Sequence, residues 1–419
     1  MTADQRVEEA MRAATPRALG ALVRRFGDFE ACEDAVQEAL LAASAAWTAT
    51  GVPDDPTAWL ITVASRRRID QLRADVARMR RETTDAALSL REFEREFERE
   101  IGPEPAGDDA LTLFVLCCHP SLTPTSQIAL TLRAVAGLTT AQIAAAFLVP
   151  PAAMAKRITR AKKTIKTSGA QFQLPAGAEL AERLRTVMHV IYLIFNEGYA
   201  ETHGRQLESA ELTGEAIRLA QLLRHQLPGD GEVVGLLALM LLIDARRAAR
   251  TTPDGALVPL ADQDHSLWDA AAISEGVALI TDSLSRLLLG PYQVQAAIAA
   301  LHAEAASSED TDWEQILALY EVLERLAPSP MAALSEAVAS AMVHGTDAGL
   351  AQLALLDTVE PLSSHHRLHA VRAHLLELTG ERRAARAEYL AAAEATSNDA
   401  ERRYLADRAH RLDAADEHA

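Results

Sequence analysis

The sequence predicts an all-α protein, on three observations. Hydrophobic residues make up 49% of the chain and aromatic residues only 4%, with Ala and Leu dominant, and both lose little side-chain freedom in a helix. Apolar positions recur at helical spacing, as in Ala18, Leu19, Leu22, Val23 and Phe26. Alternating runs of β-branched residues, which mark half-buried strands, are scarce. At 419 residues the chain is too long for one ordinary core, so several domains are expected.

In chain order, residues 1–75 read as consecutive helices. One spans about residues 30–47, with Ala35, Ala39, Leu40 and Ala43 on one side. The breaker-rich segment 50–56, with Gly51, Pro53 and Pro56, makes a loop, and a third helix covers about 57–81. Residues 82–107 read as a linker: Glu92, Glu94, Glu96, Glu98 and Glu100 lead into Gly102-Pro103-Glu104-Pro105, where a helix cannot continue. Residues 108–168 show a four-helix pattern ending in a lysine-rich helix. From residue 174 the texture becomes long Ala/Leu helices, broken at 227–231 and 327–330. Residues 370–413 resemble the paired helices of tetratricopeptide arrays. There Leu375, Leu376, Leu378, Ala384, Ala385, Tyr389 and Ala392 flank a turn at Gly380.

A formal charge of -18 argues against indiscriminate coating of nucleic acid, although DNA contacts need only local basic patches. Two short stretches supply such patches. Cys32, Cys117 and Cys118 do not make a disulfide framework, and the start Met1-Thr2-Ala3-Asp4 lacks the layout of a signal peptide. The longest apolar run, residues 233–243, is far short of the ~20 residues of a membrane span. A reducing cytoplasm is the expected compartment, with no membrane partner.

Three constellations carry chemistry. Asp34, Gln37 and Glu38 are spaced i, i+3, i+4 and share a helix face, which taken alone also suits an ordinary solvated surface. On the third helix Trp59 precedes an arginine cluster, Arg66, Arg67 and Arg73, with Arg78, Arg80 and Arg81 beyond. A basic surface helix is one reading. The other is single-stranded DNA, whose phosphates guanidinium groups hold bidentately and whose bases stack on aromatic rings. The third constellation, residues 136–166, has the layout of a helix-turn-helix. Thr139 or Thr140 caps the first helix, Ile143, Ala144 and Phe147 pack inward, and Val149-Pro150 turns the chain. In the second helix Met154, Ile158, Ala161 and Ile165 form a buried stripe, while Lys156, Arg157, Arg160 and Lys163 form the opposite face. A recognition helix needs that division between an apolar back and a face of donors.

On these motifs the sequence resembles an extracytoplasmic-function sigma factor of RNA polymerase. The resemblance implies sigma region 2 at 1–81, a linker at 82–107, a region 4 helix-turn-helix at 108–168, and a helical, tetratricopeptide-like extension at 175–419. It implies that Asp34, Gln37 and Glu38 dock on the β′ clamp coiled coil of core polymerase, which also offers its β subunit. It implies that Trp59, Arg66, Arg67 and Arg73 meet the -10 element of promoter DNA, and that Thr139, Thr140, Lys156, Arg157, Arg160 and Lys163 meet the -35 element. Arg66 stands where many relatives carry Asn. The strings at 191–199, 262–264, 292–300 and 310–313 are similar to the long extension of one group of these factors. In that group the extension is thought to control activity, and small YCII-related proteins are implied partners. Ser335-Glu336 replaces that group's usual Asn-Arg.

No catalysis, metal or cofactor is expected. Cys117-Cys118-His119 lacks zinc-ligand spacing. Asn196-Glu197 and Asp262, Asp264 and His265 are the best polar groups of the extension, and hydrogen bonding at helix ends is their expected role. The alternative is a one-component transcription regulator with a single helix-turn-helix and a repeat sensor domain, which leaves residues 1–80 without a purpose.

Overall fold

A computed structural model of the chain describes residues 3–79, 109–147, 149–199, 206–252, 256–360, 362–396 and 398–416. The expected linker at 82–107 lies outside the described residues, as do Arg80 and Arg81. The described residues form α-helices, a few 3-10 turns and one isolated bridge between Thr251 and Leu257, so the protein is all-α. None of these helices is long and apolar enough to cross a membrane. The chain divides into two compact units, residues 1–194 and 195–419.

In the first unit α1 (Ala3–Phe26), α2 (Phe29–Thr50) and α3 (Pro56–Met79) enclose a core with Leu19, Leu22, Val36, Ala39, Trp47 and Leu60. Gly27, at φ +73°, ends α1, because only a residue without Cβ adopts that conformation without penalty. The next residue, Asp28, caps α2 by accepting a hydrogen bond from Ala31 N at 3.2 Å. Four further helices follow: α4 (Asp109–Cys117), α5 (Pro124–Ala134), α6 (Thr140–Ala146) and α7 (Pro151–Ser168). They are the four helices expected over 108–168. They pack on the first three within the same unit: a Cβ on Gly20 of α1 would lie 2.8 Å from the Asp109 Cβ, so the two backbones meet where no side chain fits. α8 (Ala178–Tyr199) comes next.

The second unit holds α9 (Gln206–Gln226), α10 (Gly231–Asp244), α11 (Ala270–Arg286), α12 (Pro291–Glu304), α13 (Trp313–Leu326), α14 (Pro330–His344), α15 (Thr346–Leu356), α16 (His366–Leu378), α17 (Arg382–Ala395) and α18 (Asp399–Asp416). The longest apolar run is α10, buried continuously from Val233 to Leu242. A helix apolar all round belongs inside a core, and α10 packs on α9, α11 and α12. Gly235 and Glu232 of α10, with Gly290 and Gln293 at the start of α12, make that packing possible. Gly235 of α10 lies so close to α12 that a Cβ there would sit 2.5 Å from Gln293 N. The Glu232 carboxylate accepts from Tyr292 N (2.9 Å) and Gln293 N (3.2 Å), capping α12. The Gln293 side chain accepts from Gly290 N at 2.8 Å and donates to Ser283 Oγ at 2.7 Å. Later helices build successive local cores, with Leu334, Leu353 and Leu375 in one and Tyr389, Ala392 and Leu405 in the last. Of the residues named for the helix pair at 370–413, Leu378 is exposed, as the last residue of α16.

Candidate functional site

The strongest site begins with a cap. Thr139 Oγ1 accepts from Gln142 N at 3.2 Å, and the Gln142 side chain accepts from Thr139 N at 2.8 Å, so two orphan donors at the start of α6 are satisfied reciprocally. Thr139 is the cap and Thr140 the first helical residue. Leu138 is tied back to α5 by its N–H to Leu132 O (3.0 Å) and by Arg133 Nη1 to its carbonyl (3.2 Å). Pro151 opens α7 at a position where a missing N–H costs nothing. Along α7, Met154, Ile158, Ala161 and Ile165 are buried, Lys156, Arg160 and Lys163 are exposed, and Arg157 is half-buried. The helix therefore offers a cationic face on an apolar back, suited to phosphates and base edges.

On α3, Arg66, Arg67 and Arg73 are exposed on one side while Ser65, Arg68 and Ile69 are buried on the other. Arg67 Nε lies 3.7 Å from a Glu38 carboxylate oxygen, and Arg73 Nη1 3.2 Å from Asp70. Trp59 is half-buried, its ring edge-on to Trp47 with centroids 5.4 Å apart. On α2, Asp34 and Glu38 are exposed and Gln37 is half-buried, all on one face. A cleft of about 390 Å³ separates α1 and α2 from the start of α6; Gln37, Leu41, Thr139 and Gln142 are among its walls.

Sequence reasoning missed the residue between these surfaces. Glu33 on α2 is 1% exposed, and its carboxylate takes two cations, Arg133 Nε at 2.8 Å and Lys162 Nζ at 2.5 Å. Lys162 also lies 3.6 Å from Asp34, and Lys166 lies 3.3 Å from Asp28. At Asp28 burial raises the carboxyl pKa, but the hydrogen bonds from Ala31 and Lys166 outweigh it and hold the group below its ordinary value. The signal was present in the sequence: Glu33 interrupts the buried stripe Cys32, Ala35, Val36 and Ala39, and Lys162 follows buried Ala161. A charge on an apolar stripe needs a partner of opposite sign.

The other polar candidates are quieter. Burial pushes the Cys32 and Cys118 thiols up to about 12 and that of Cys117 well up, which holds all three protonated at neutral pH. In the extension Asp264 accepts from Ser266 N at 2.9 Å at the start of a short 3-10 turn, His265 stacks on Trp268, and Glu197 and Asp262 are exposed.

Residues 11–78 match sigma-70 region 2, residues 115–165 match sigma-70, region 4, and residues 183–284 match a family of unknown function, DUF6596. An uncharacterized protein of Rhizobium meliloti (strain 1021) is 43% identical over 403 residues, which cover 95% of this chain and 94% of that protein. No solved structure matches the chain.

Proposed function

The chain belongs to the sigma-70 family of RNA polymerase sigma factors, and from that premise we propose that it is a factor of the extracytoplasmic-function type, acting in the cytoplasm and modulated by its own helical, tetratricopeptide-like extension. Region 2 takes residues 1–81, a linker 82–107, region 4 residues 108–168 and the extension 175–419. Asp34, Gln37 and Glu38 dock on the β′ clamp of core polymerase. Trp59, Arg66, Arg67 and Arg73 hold the opened -10 strand, and Lys156, Arg157, Arg160 and Lys163, set up by the Thr139–Thr140 helix start, read the -35 element. The subunit performs no chemistry of its own. The division of α7 into a buried stripe and a cationic face carries this reading.

Within region 4 the donors divide by role. Arg157 lies near the start of α7, where recognition helices meet base edges, and its planar fork addresses guanine bidentately. Lys163 lies later and offers a point charge suited to a phosphate. Arg157→Ala should cost about 1–3 kcal/mol at the preferred -35 sequence and relax discrimination at one or two positions. Lys163→Ala should weaken binding evenly on all sequences and shallow the salt dependence by about one counterion. Holoenzyme binding to -35 variants at several salt concentrations reads both. Equal, sequence-independent losses would remove the base-reading role of Arg157, and no loss from either would remove α7 from the DNA.

The arrangement of the first unit bears on how this happens. A -10 and a -35 element lie about 25 base pairs apart, about 85 Å along the duplex, whereas Glu33 of α2 and Lys162 of α7 are in contact. The two readers cannot engage both elements in this conformation. Polymerase binding therefore has to separate α7 from α2, breaking the ion pairs of Glu33 and freeing Asp34 from Lys162.

Control by the extension is testable in cells. Ending the chain after about Ser168 should change promoter output while polymerase binding persists; unchanged output would remove the modulating role. A YCII-related protein is the candidate partner for that surface, and its retention on the immobilised full chain but not on the shortened one would support it.

A further inference from the structure

Among the described residues, two cations of the second unit lack a counter-charge. Arg246 and Arg250, which follow α10 and flank a short 3-10 turn (Arg247–Ala249), are both half-buried, and among the described residues no carboxylate forms an ion pair with either. Their neighbour Arg247, by contrast, is paired with Asp244. Composition does not force this, since the chain has 59 Asp and Glu against 41 Lys and Arg. Arg250 lies flat against Tyr199, its guanidinium carbon 3.8 Å from the ring centroid, and Nη1 donates to the Tyr199 carbonyl at 2.7 Å. Arg246 makes no side-chain hydrogen bond among the described residues. Burial, opposed by Tyr199 and assisted by repulsion from Arg250, lowers its pKa.

The surroundings continue the same pattern. His302, near Arg246, is held down to about 4 by burial and by that charge, so it is neutral at pH 7. Its ring meets Trp313 edge-on, with centroids 5.3 Å apart. The buried indole N–H groups of Trp313 and Trp268 have no acceptor among the described residues, and Trp268 is placed beside this cluster because Asp269 N donates to Ala245 O at 2.9 Å. Two guanidinium groups without a counter-charge among the described residues, with an unused indole N–H beside them and another against His302, are costly unless an acceptor of negative charge joins them.

We propose that Arg246 and Arg250 form a binding site for a small oxyanion-bearing ligand, a phosphate or a carboxylate, walled by Tyr199, His302 and Trp313. The site lies wholly within the second unit and does not depend on the promoter-directing reading, so a binding measurement tests it separately. Isothermal titration of the full chain with inorganic phosphate and with citrate, at ionic strength fixed by KCl, should give saturable binding of at least one of them. Phosphate alone would assign a phosphate ligand, and citrate alone a carboxylate. Arg246→Gln and Arg250→Gln should each weaken it about tenfold or more, as expected for losing a charge-assisted contact. Arg286→Gln, which breaks only the exposed Arg286–Asp282 pair at 2.8 Å, should leave it unchanged. Absence of saturable binding of either anion to the wild type, a result that requires no variant to fold, would overturn the proposal. Binding retained in the Arg246→Gln/Arg250→Gln double variant would overturn it equally.

Discussion

Glu33→Ala should destabilise the first unit by about 3–5 kcal/mol, the usual cost of removing one partner from a buried ion pair. The carboxylate is 1% exposed and lies between Arg133 and Lys162, with Lys162 itself 9% exposed. Its removal leaves two cations in a place from which water is largely excluded. Glu33→Gln keeps an acceptor but loses the charge, so its loss should be intermediate. Asp34→Ala, one residue on, is the control: Asp34 is 61% exposed, and surface ion pairs contribute about 0–1 kcal/mol. Urea unfolding in a Trp268→Phe/Trp313→Phe background leaves Trp47 and Trp59 as reporters of this unit. Equal stability of the Glu33 and Asp34 variants would mean that the Glu33 contacts do not hold α7 on α2.

Gly235→Val should destabilise the second unit by about 3 kcal/mol or more, at the upper end of overpacking costs. The added Cβ alone would meet Gln293 N at 2.5 Å and Gln293 Cα at 2.8 Å. These are backbone atoms that no rotamer change can withdraw, and the same shift would pull Tyr292 N and Gln293 N away from the Glu232 cap. Gly229→Ala is the matched control: a Cβ at Gly229 meets nothing within 4 Å, and the expected change is within about 0.5 kcal/mol. Thermal unfolding followed by Trp268 and Trp313 fluorescence separates the two. A Gly235→Val protein as stable as Gly229→Ala would contradict the close approach of α10 and α12.

What was legible in the sequence follows from which interactions are local. Helix periods, the breakers at Gly51 and Pro53, and the Thr139 cap are written within a few residues of where they act, so the helices of the first unit and the two faces of α7 could be read directly. The face of Asp34, Gln37 and Glu38 was legible for the same reason. The Glu33–Lys162 pair joins positions 129 residues apart, and spacing along one helix says nothing about such a partner. Only the charge on each apolar stripe hinted at it. The string at 292–300 was visible as a motif, but its cause, a capped helix seated on Gly235, needs the third dimension. Nothing in the sequence singles out Arg246 and Arg250, because the lack of a carboxylate partner among the described residues is a property of the folded neighbourhood.

The central claim, that this chain gives RNA polymerase its promoter specificity, is tested most directly by reconstitution. Core polymerase freed of other sigma factors should co-elute with the purified chain and start transcripts from a cognate promoter. The Asp34→Ala/Gln37→Ala/Glu38→Ala protein should lose both properties with its helix content unchanged, since Ala is the best helix former. A chain that fails to associate with core polymerase, or that yields transcripts only when another sigma factor is added, would contradict the account.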